Sequence, residues 1–177
     1  MRKGFKTQEN NGIYGETFKV PEPIIPKVGA KIMSLQNPTE KMGKSDSNEN
    51  AYVKILDDPD TIMRKFKRAV TDSEARVYFG DTVEKAGINN LMTIYSAVTG
   101  LSFEQIEKDF DGKGYGDFKT AVGEAVVEEL RPVRERFDEL MSDKAQLEAM
   151  YKEGAEQASY LARKTLSKVK RKVGFVK

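Results

Sequence analysis

The chain contains no cysteine and no histidine. The first absence excludes disulfides, thiolate metal sites and a thiol nucleophile. The second removes the commonest metal ligand and general base, and with them any Ser-His-Asp arrangement or His-rich zinc site built from this chain. No apolar run approaches the length that spans a bilayer and no signal peptide opens the sequence, so no membrane association is expected. A cytoplasmic protein of a reducing compartment is the default expectation. An excess of one charge is also missing, because 30 Lys and Arg against 28 Asp and Glu leave a net charge of +2. Composition alone therefore does not announce a nucleic-acid binder. At 177 residues the chain is long enough to bury a core without metal or disulfide staples.

The charge that is there is laid out unevenly. Residues 101–150 carry 7 basic and 13 acidic side chains, and residues 151–177 carry 8 and 2. The last block, with Arg163, Lys164, Lys168, Lys170, Arg171 and Lys172, reads as a basic helical tail. It is either a solvated helix end that complements its own dipole or a surface for a phosphate backbone. Residues 1–13 are polar and aperiodic and read as a disordered lead or an added tail. Five of the six prolines (Pro21, Pro23, Pro26, Pro38 and Pro59) fall before residue 60, which disfavours helix there. Within that region the short apolar stretches 18–20 and 32–35 read as strands or extended chain. Residues 36–50, rich in Asn, Ser, Asp and Lys, are expected to form the most mobile internal loop, having few apolar anchors.

From Asp58 onward the pattern is helix after helix. Asp58 is a good N-cap, Pro59 suits the first helical position, and Ile62, Met63, Phe66, Ala69 and Val70 recur at helical spacing. A second helix is expected after Gly87 with Ile88, Leu91, Met92, Tyr95 and Val98 on one face, closed by Gly100. Ser102 and Gln105 predict a capping box for a short third helix. Residues 111–116 (DGKGYG) read as a helix–helix turn, since they lack the preceding strand and the spacing of a phosphate-binding loop. A long helix from Asp117 carries the stripe Phe118, Val122, Val126, Leu130, Val133, Phe137 and Met141, with Pro132 inside it. Ser142 is expected to cap a last helix striped by Leu147, Met150, Gly154, Ala158, Leu161, Thr165, Val169 and Val173. Both stripes are expected to be bundle core.

The chemistry is concentrated in residues 27–46, KVGAKIMSLQNPTEKMGKSD. Lys41 and Lys44 lie three residues apart, with the hydroxyl of Ser45 beside the second and Gly43 between them. Mobile ammonium groups, a hydroxyl and a flexible backbone suit a polyphosphate, although an exposed polar loop of solvated lysines has the same composition. The spacing KMGKS at 41–45 closely resembles the KMSKS signature of class I aminoacyl-tRNA synthetases, with Gly43 at its third position. The approach to it, residues 26–46, is similar to the corresponding segment of tryptophanyl-tRNA synthetases. So are AVTDSE (69–74), GINNLMTIYSAVTG (87–100), GKGYGDFK (112–119), LRPVRERF (130–137) and EGAEQA (153–158). The likeness runs from about residue 14 to 175 in the family's order. Tyrosyl-tRNA synthetases share the fold and a version of the loop, but KVGAKIMSL favours the tryptophan branch.

The resemblance implies an enzyme that joins ATP and L-tryptophan to tryptophanyl-adenylate and pyrophosphate and then transfers the acyl group to tRNA(Trp), with Mg2+ accompanying ATP. It implies that Lys41 and Lys44 bind phosphate, that Ser45 is the loop hydroxyl, and that Met42 and Gly43 belong to the same nucleotide-binding loop. Ile32 falls where the family makes backbone contacts to adenine, with Met33 adjacent. The family's HIGH-like first signature has no counterpart here, because there is no histidine to supply it. The resemblance therefore implies a C-terminal portion, inactive alone in adenylate formation, of an enzyme that is a homodimer when complete. The expected fold is mainly α. Residues 1–13 are the lead, and residues 14–57 are a short remnant of a Rossmann-like α/β catalytic domain. Residues 58–177 are a helical, tRNA anticodon-binding type bundle. A non-enzymatic helical RNA-binding module, using the basic helix face at 64–68 and the basic tail, is the alternative from a different class.

Overall fold

The computed structural model describes residues 2–26 and 28–175. Among the described residues six α-helices follow one another: α1 (Arg2–Tyr14), α2 (Pro59–Lys67), α3 (Ala86–Thr99), α4 (Phe103–Asp109), α5 (Tyr115–Ser142) and α6 (Lys144–Val173), with 3-10 turns at Glu49–Ala51 and Val83–Lys85. Among the described residues there is no strand, and the one β feature is an antiparallel bridge between Met33 and Lys41. The fold is mainly helical, as the sequence predicts. The chain divides into two compact units, residues 25–138 and residues 1–24 with 139–177.

In the unit 25–138, local sequence sets the helix ends. The Asp58 side chain accepts from the Thr61 N–H (2.9 Å), and Pro59 occupies the first turn of α2. Gly100 terminates α3 in the left-handed region (φ 76°), where a side chain would be strained. Ser102 caps α4 through the Gln105 N–H (3.3 Å). The reciprocal half of that capping box is absent, because Gln105 Nε2 donates to Asp109 instead (2.6 Å). The core is built from Ile62 and Phe66 of α2, Ile88, Leu91 and Met92 of α3, Ile106 of α4, and Phe118 and Val122 of α5. Tyr95, Phe110 and Phe118 meet edge-to-face, with centroids 4.8–5.9 Å apart.

Gly87 lies inside α3 rather than before it. A Cβ there would collide with the Val70 carbonyl and lie 3.2 Å from Thr71 Cα, so the missing side chain is what lets residues 70–71 cross the helix. Gly87→Ala is expected to cost about 2 kcal/mol through overpacking against backbone that cannot yield. Urea denaturation checks this, and an unchanged midpoint would show that α3 moves away freely.

Below that crossing, Lys85 is 2% exposed and its Nζ lies 2.7 Å from Glu74 and 3.3 Å from Asp72. It also sits 4.0 Å from the Tyr78 ring centroid. The Tyr115 hydroxyl donates to the Asp72 carboxylate (2.7 Å). Burial opposes charge on Asp72, but bonds from Tyr115, the Glu74 N–H and Lys85 overcome it and hold that carboxyl below the usual range. Burial likewise opposes charge on Lys85, yet Glu74, Tyr78 and Asp72 raise its pKa above the ordinary lysine value. Burial and the Asp72 bond push the Tyr115 phenol up to about 12. The signs agree. The Asp72 contribution is complete above the unfolded carboxyl pKa of roughly 4 and fades as pH falls through the lower folded value. The Lys85 and Tyr115 contributions are complete below roughly pH 10 and fade as pH rises through their raised values. Stability measured by denaturant titration should therefore be flat from about pH 5 to 9 in this term and decline on both sides. A decline already at neutral pH would contradict this arrangement.

In the other unit, α1 occupies the aperiodic stretch expected to be a disordered lead or an added tail. Its Asn11 Oδ1 accepts from the N–H groups of Thr17 and Phe18 (3.1 and 3.0 Å), and Asn11 Nδ2 donates to the Phe18 carbonyl (2.7 Å). Three bonds from one amide thus fold the chain back behind the helix. The cap of α6 is Asp143, which accepts from the Gln146 N–H (2.9 Å). The expected cap, Ser142, instead ends α5 and donates to the Glu139 carbonyl (2.6 Å). The expectation that both long stripes are core is also corrected. The α5 stripe is buried from Phe118 to Val126, whereas Val133, Phe137 and Met141 are exposed, and α6 buries no residue. An apolar face becomes core only where a second surface covers it fully, and Val133, Phe137 and Met141 are covered only in part.

Candidate functional site

Residues 32–51 form a loop that is fastened at its base and free at its tip. The base is a short antiparallel ladder. Met42 N–H donates to the Ile32 carbonyl (3.0 Å) and Ser34 N–H to the Glu40 carbonyl (2.8 Å). The buried Ser34 hydroxyl accepts from the N–H groups of Gln36 and Asn37 (3.3 and 3.1 Å), which turns the chain between the two arms. Asn90, buried on α3, holds Met33 on both sides. Its Oδ1 accepts from the Met33 N–H (2.9 Å) and its Nδ2 donates to the Met33 carbonyl (2.8 Å), so a side-chain amide replaces a neighbouring strand. Leu35 completes the fastening. Its N–H donates to Ala51 (2.9 Å), and its carbonyl accepts from Val70 (2.8 Å). Gln36 Nε2 donates to the Arg68 carbonyl at the end of α2 (2.9 Å).

The tip behaves differently. Among the described residues, 43–48 bond only within 43–51: Asp46 N–H to the Gly43 carbonyl (3.2 Å), Asn48 N–H to Asp46 Oδ1 (2.8 Å), and the Asn48 oxygens to the N–H groups of Asn50 and Ala51. Of the span read as mobile, 36–50, this tip lacks hydrogen bonds to the rest of the unit among the described residues.

Met42 is half-buried and packs on the core, and Met33 is half-buried under the Asn90 clamp. Ile32 and Met42 border an apolar cavity of about 320 Å3 together with Val28, Val53, Ile94 and Val98. Lys41, Lys44 and Ser45 are exposed, and Gly43 is half-buried. Neither lysine ammonium has an ion pair or hydrogen bond among the described residues. Such cations accept an anionic ligand without first losing an internal partner. Among the described residues no three His, Cys, Asp or Glu side chains cluster to hold a metal ion. No helix of the described residues is long and apolar enough to cross a membrane. Asn90 and Gln36 have no place in the motif reading. The one signal for Asn90 is an amide on a helix face otherwise made of Ile88, Leu91 and Met92.

These features are those of a known class. Residues 4–131 match the family described as tRNA synthetases class I (W and Y), and the chain belongs to that family. The relatives point to the tryptophan branch. The chain is 51% identical over 166 residues to the tryptophan–tRNA ligase of Clostridium tetani, a match that covers 94% of this chain and 48% of the relative. It is 51% identical to that of Wolinella succinogenes, with 94% and 50% covered. Among solved structures, tryptophanyl-tRNA synthetase from Mycoplasma pneumoniae superposes with a TM-score of 0.78 at 26% identity, over 96% of this chain and 51% of that one. The Campylobacter jejuni tryptophanyl-tRNA synthetase, solved with ADP and tryptophan, has the same fold (TM-score 0.64, 24% identity, 96% and 51% covered). The chain thus spans about half the length of the relatives it matches.

Proposed function

We propose that this chain is the portion of a tryptophan–tRNA ligase that supplies the ATP-phosphate loop and the tRNA-facing helices. The observation that carries this reading is the loop itself. KMGKS stands at 41–45, fastened at its base by Asn90 and Leu35, with both lysine ammoniums exposed and unpaired among the described residues. In this reading Lys41 and Lys44 donate to the phosphates of ATP, the Ser45 hydroxyl fixes one oxygen, and Met42 anchors the loop so that Gly43 lets the tip fold onto the nucleotide. Ile32 and Met33 lie against the adenine. Mg2+ arrives with the triphosphate as part of the substrate. No side chain need attack, since the tryptophan carboxylate is the nucleophile at the α-phosphate. The protein contributes positioning and electrostatic stabilisation of the departing pyrophosphate, which agrees with the missing Cys and His. Residues 14–57 are then the end of a Rossmann-like domain and 58–177 the tRNA-facing helical domain. The complete enzyme is a dimer that binds L-tryptophan mainly through its other half.

The test is complementation. The purified chain alone should give no tryptophan-dependent ATP–pyrophosphate exchange, and mixing it with the amino-terminal half of a close relative should restore exchange. Exchange by the chain alone would overturn the division of labour, and failure of a folded, stoichiometric mixture would overturn the assignment.

A further inference from the structure

The face of α2 beside the loop carries a charge distribution that the proposed ATP chemistry does not use. A polar cavity of about 500 Å3 is bordered by Glu49 and Asn50, just beyond the loop tip, and by Lys54, Asp57, Arg64 and Arg68. Two of its cations are already neutralised. Lys65, 3% exposed at the cavity wall, pairs with Asp57 at 2.6 Å, and Lys54 pairs with Glu49 at 3.2 Å. That leaves Arg64 and Arg68. Arg64 reaches only the Thr61 hydroxyl (3.4 Å), and neither guanidinium has a carboxylate partner among the described residues. They stand four residues apart at the end of a helix, so they face the same side and repel each other. The helix dipole favours positive charge at this end of α2, but it does not supply the counter-charge that two guanidiniums around one cavity lack among the described residues. A planar guanidinium fork matches the paired oxygens of a phosphate, and two of them one turn apart suit an anion held between them.

We infer that Arg64 and Arg68 form a seat for a backbone phosphate of RNA, placed so that its occupancy is felt by the signature loop. The route is short. The Arg68 carbonyl accepts from Gln36 Nε2, the Val70 N–H donates to Leu35, and the opposite wall of the cavity, Glu49 and Asn50, follows the loop tip directly. An RNA strand lying in the seat would touch Asn50 at one end of residues 36–50 and would act on Gln36, at the other, through Arg68. Free phosphate groups from a nucleotide share this chemistry, so the test must separate the two sources. The inference rests on the synthetase reading for the identity of the RNA, and its readout does not depend on catalysis.

Fluorescence anisotropy with labelled tRNA(Trp) transcript and the 177-residue chain tests it. Arg64→Gln/Arg68→Gln should weaken binding roughly tenfold to a hundredfold and lower the slope of log affinity against log salt by about 1 to 2. Arg64→Lys/Arg68→Lys should keep the slope and recover part of the affinity, because charge remains while the fork is lost. Both variants should melt with the wild type, since the two side chains are exposed. Unchanged affinity and slope in the Gln variant, or no measurable binding by the wild type, would overturn the inference. Competition for the seat by millimolar ATP or pyrophosphate, lost in the Gln variant, would assign it to a nucleotide and overturn the RNA assignment. In the complemented enzyme, the double Gln variant should retain pyrophosphate exchange while losing aminoacylation at low tRNA concentration. Absence of exchange in the wild-type mixture would be a failure of the synthetase reading and not of the seat.

Discussion

Lys44→Ala, in the complemented enzyme, is expected to lower kcat for adenylate formation by roughly a hundredfold or more, about 3 kcal/mol, with a smaller change in the KM for tryptophan. The reason is where the charge appears. In the proposed reading, negative charge migrates onto the pyrophosphate as the bond to the α-phosphorus breaks, and an ammonium on a loop that closes over the nucleotide would then interact more strongly with the transition state than with bound ATP. Lys44 is exposed and has no internal partner among the described residues, so its removal costs the fold little. Pyrophosphate exchange and thermal melting, measured together, separate the two effects. Lys44→Arg should recover only part of the rate, because a broad planar group does not reproduce a compact ammonium. Normal turnover of the alanine variant would reduce Lys44 to a solvated loop lysine, and a variant that unfolds would make the loop structural.

The largest effect on stability is expected at Lys85. Replacing it with Met keeps most of the volume but leaves the Asp72 carboxylate, 7% exposed, without its cation. Breaking one side of a buried pair costs about 3 kcal/mol, more than the pair contributes over apolar substitutes, because the remaining charge has lost water and partner together. For a unit of this size that lowers Tm by roughly 10 °C. Asp72→Asn combined with Lys85→Met should be milder than the sum of the two, since the amide still accepts from Tyr115 and no buried charge is left. Differential scanning calorimetry of the single and double variants reads this coupling directly. Strict additivity would mean that Asp72 and Lys85 do not sense each other.

Much of this fold is legible in the sequence, for local reasons. Asp58 with Pro59, and Gly100 after a run of apolar residues, mark helix ends through chemistry that acts within one turn. The KMGKS loop is legible because its residues are contiguous. What the sequence hides is whatever depends on residues far apart in the chain. Asn90 reaches Met33 across 57 positions. Lys65 stands in the basic run 64–68, off the apolar stripe that periodicity assigns to the core, yet it is buried in its pair with Asp57. The same limit explains the stripes of α5 and α6. Periodicity says that a face is apolar and says nothing about what covers it.

The Asn90 clamp also sets a clock. An amide proton exchanges with solvent only when its bond opens. Those of Met33, Ser34, Leu35 and Met42 are bonded to a buried side chain or to backbone at the loop base. They should exchange with the opening of the whole unit, on a scale of minutes to hours. Those of Gly43, Lys44 and Ser45 lack any bond among the described residues and should be gone within the dead time. Between Met42 and Gly43, one peptide link would then separate the slowest and the fastest deuterium uptake in the unit. Asn90→Ala should erase that step by releasing the slow side, long before any change in the lysines themselves is felt.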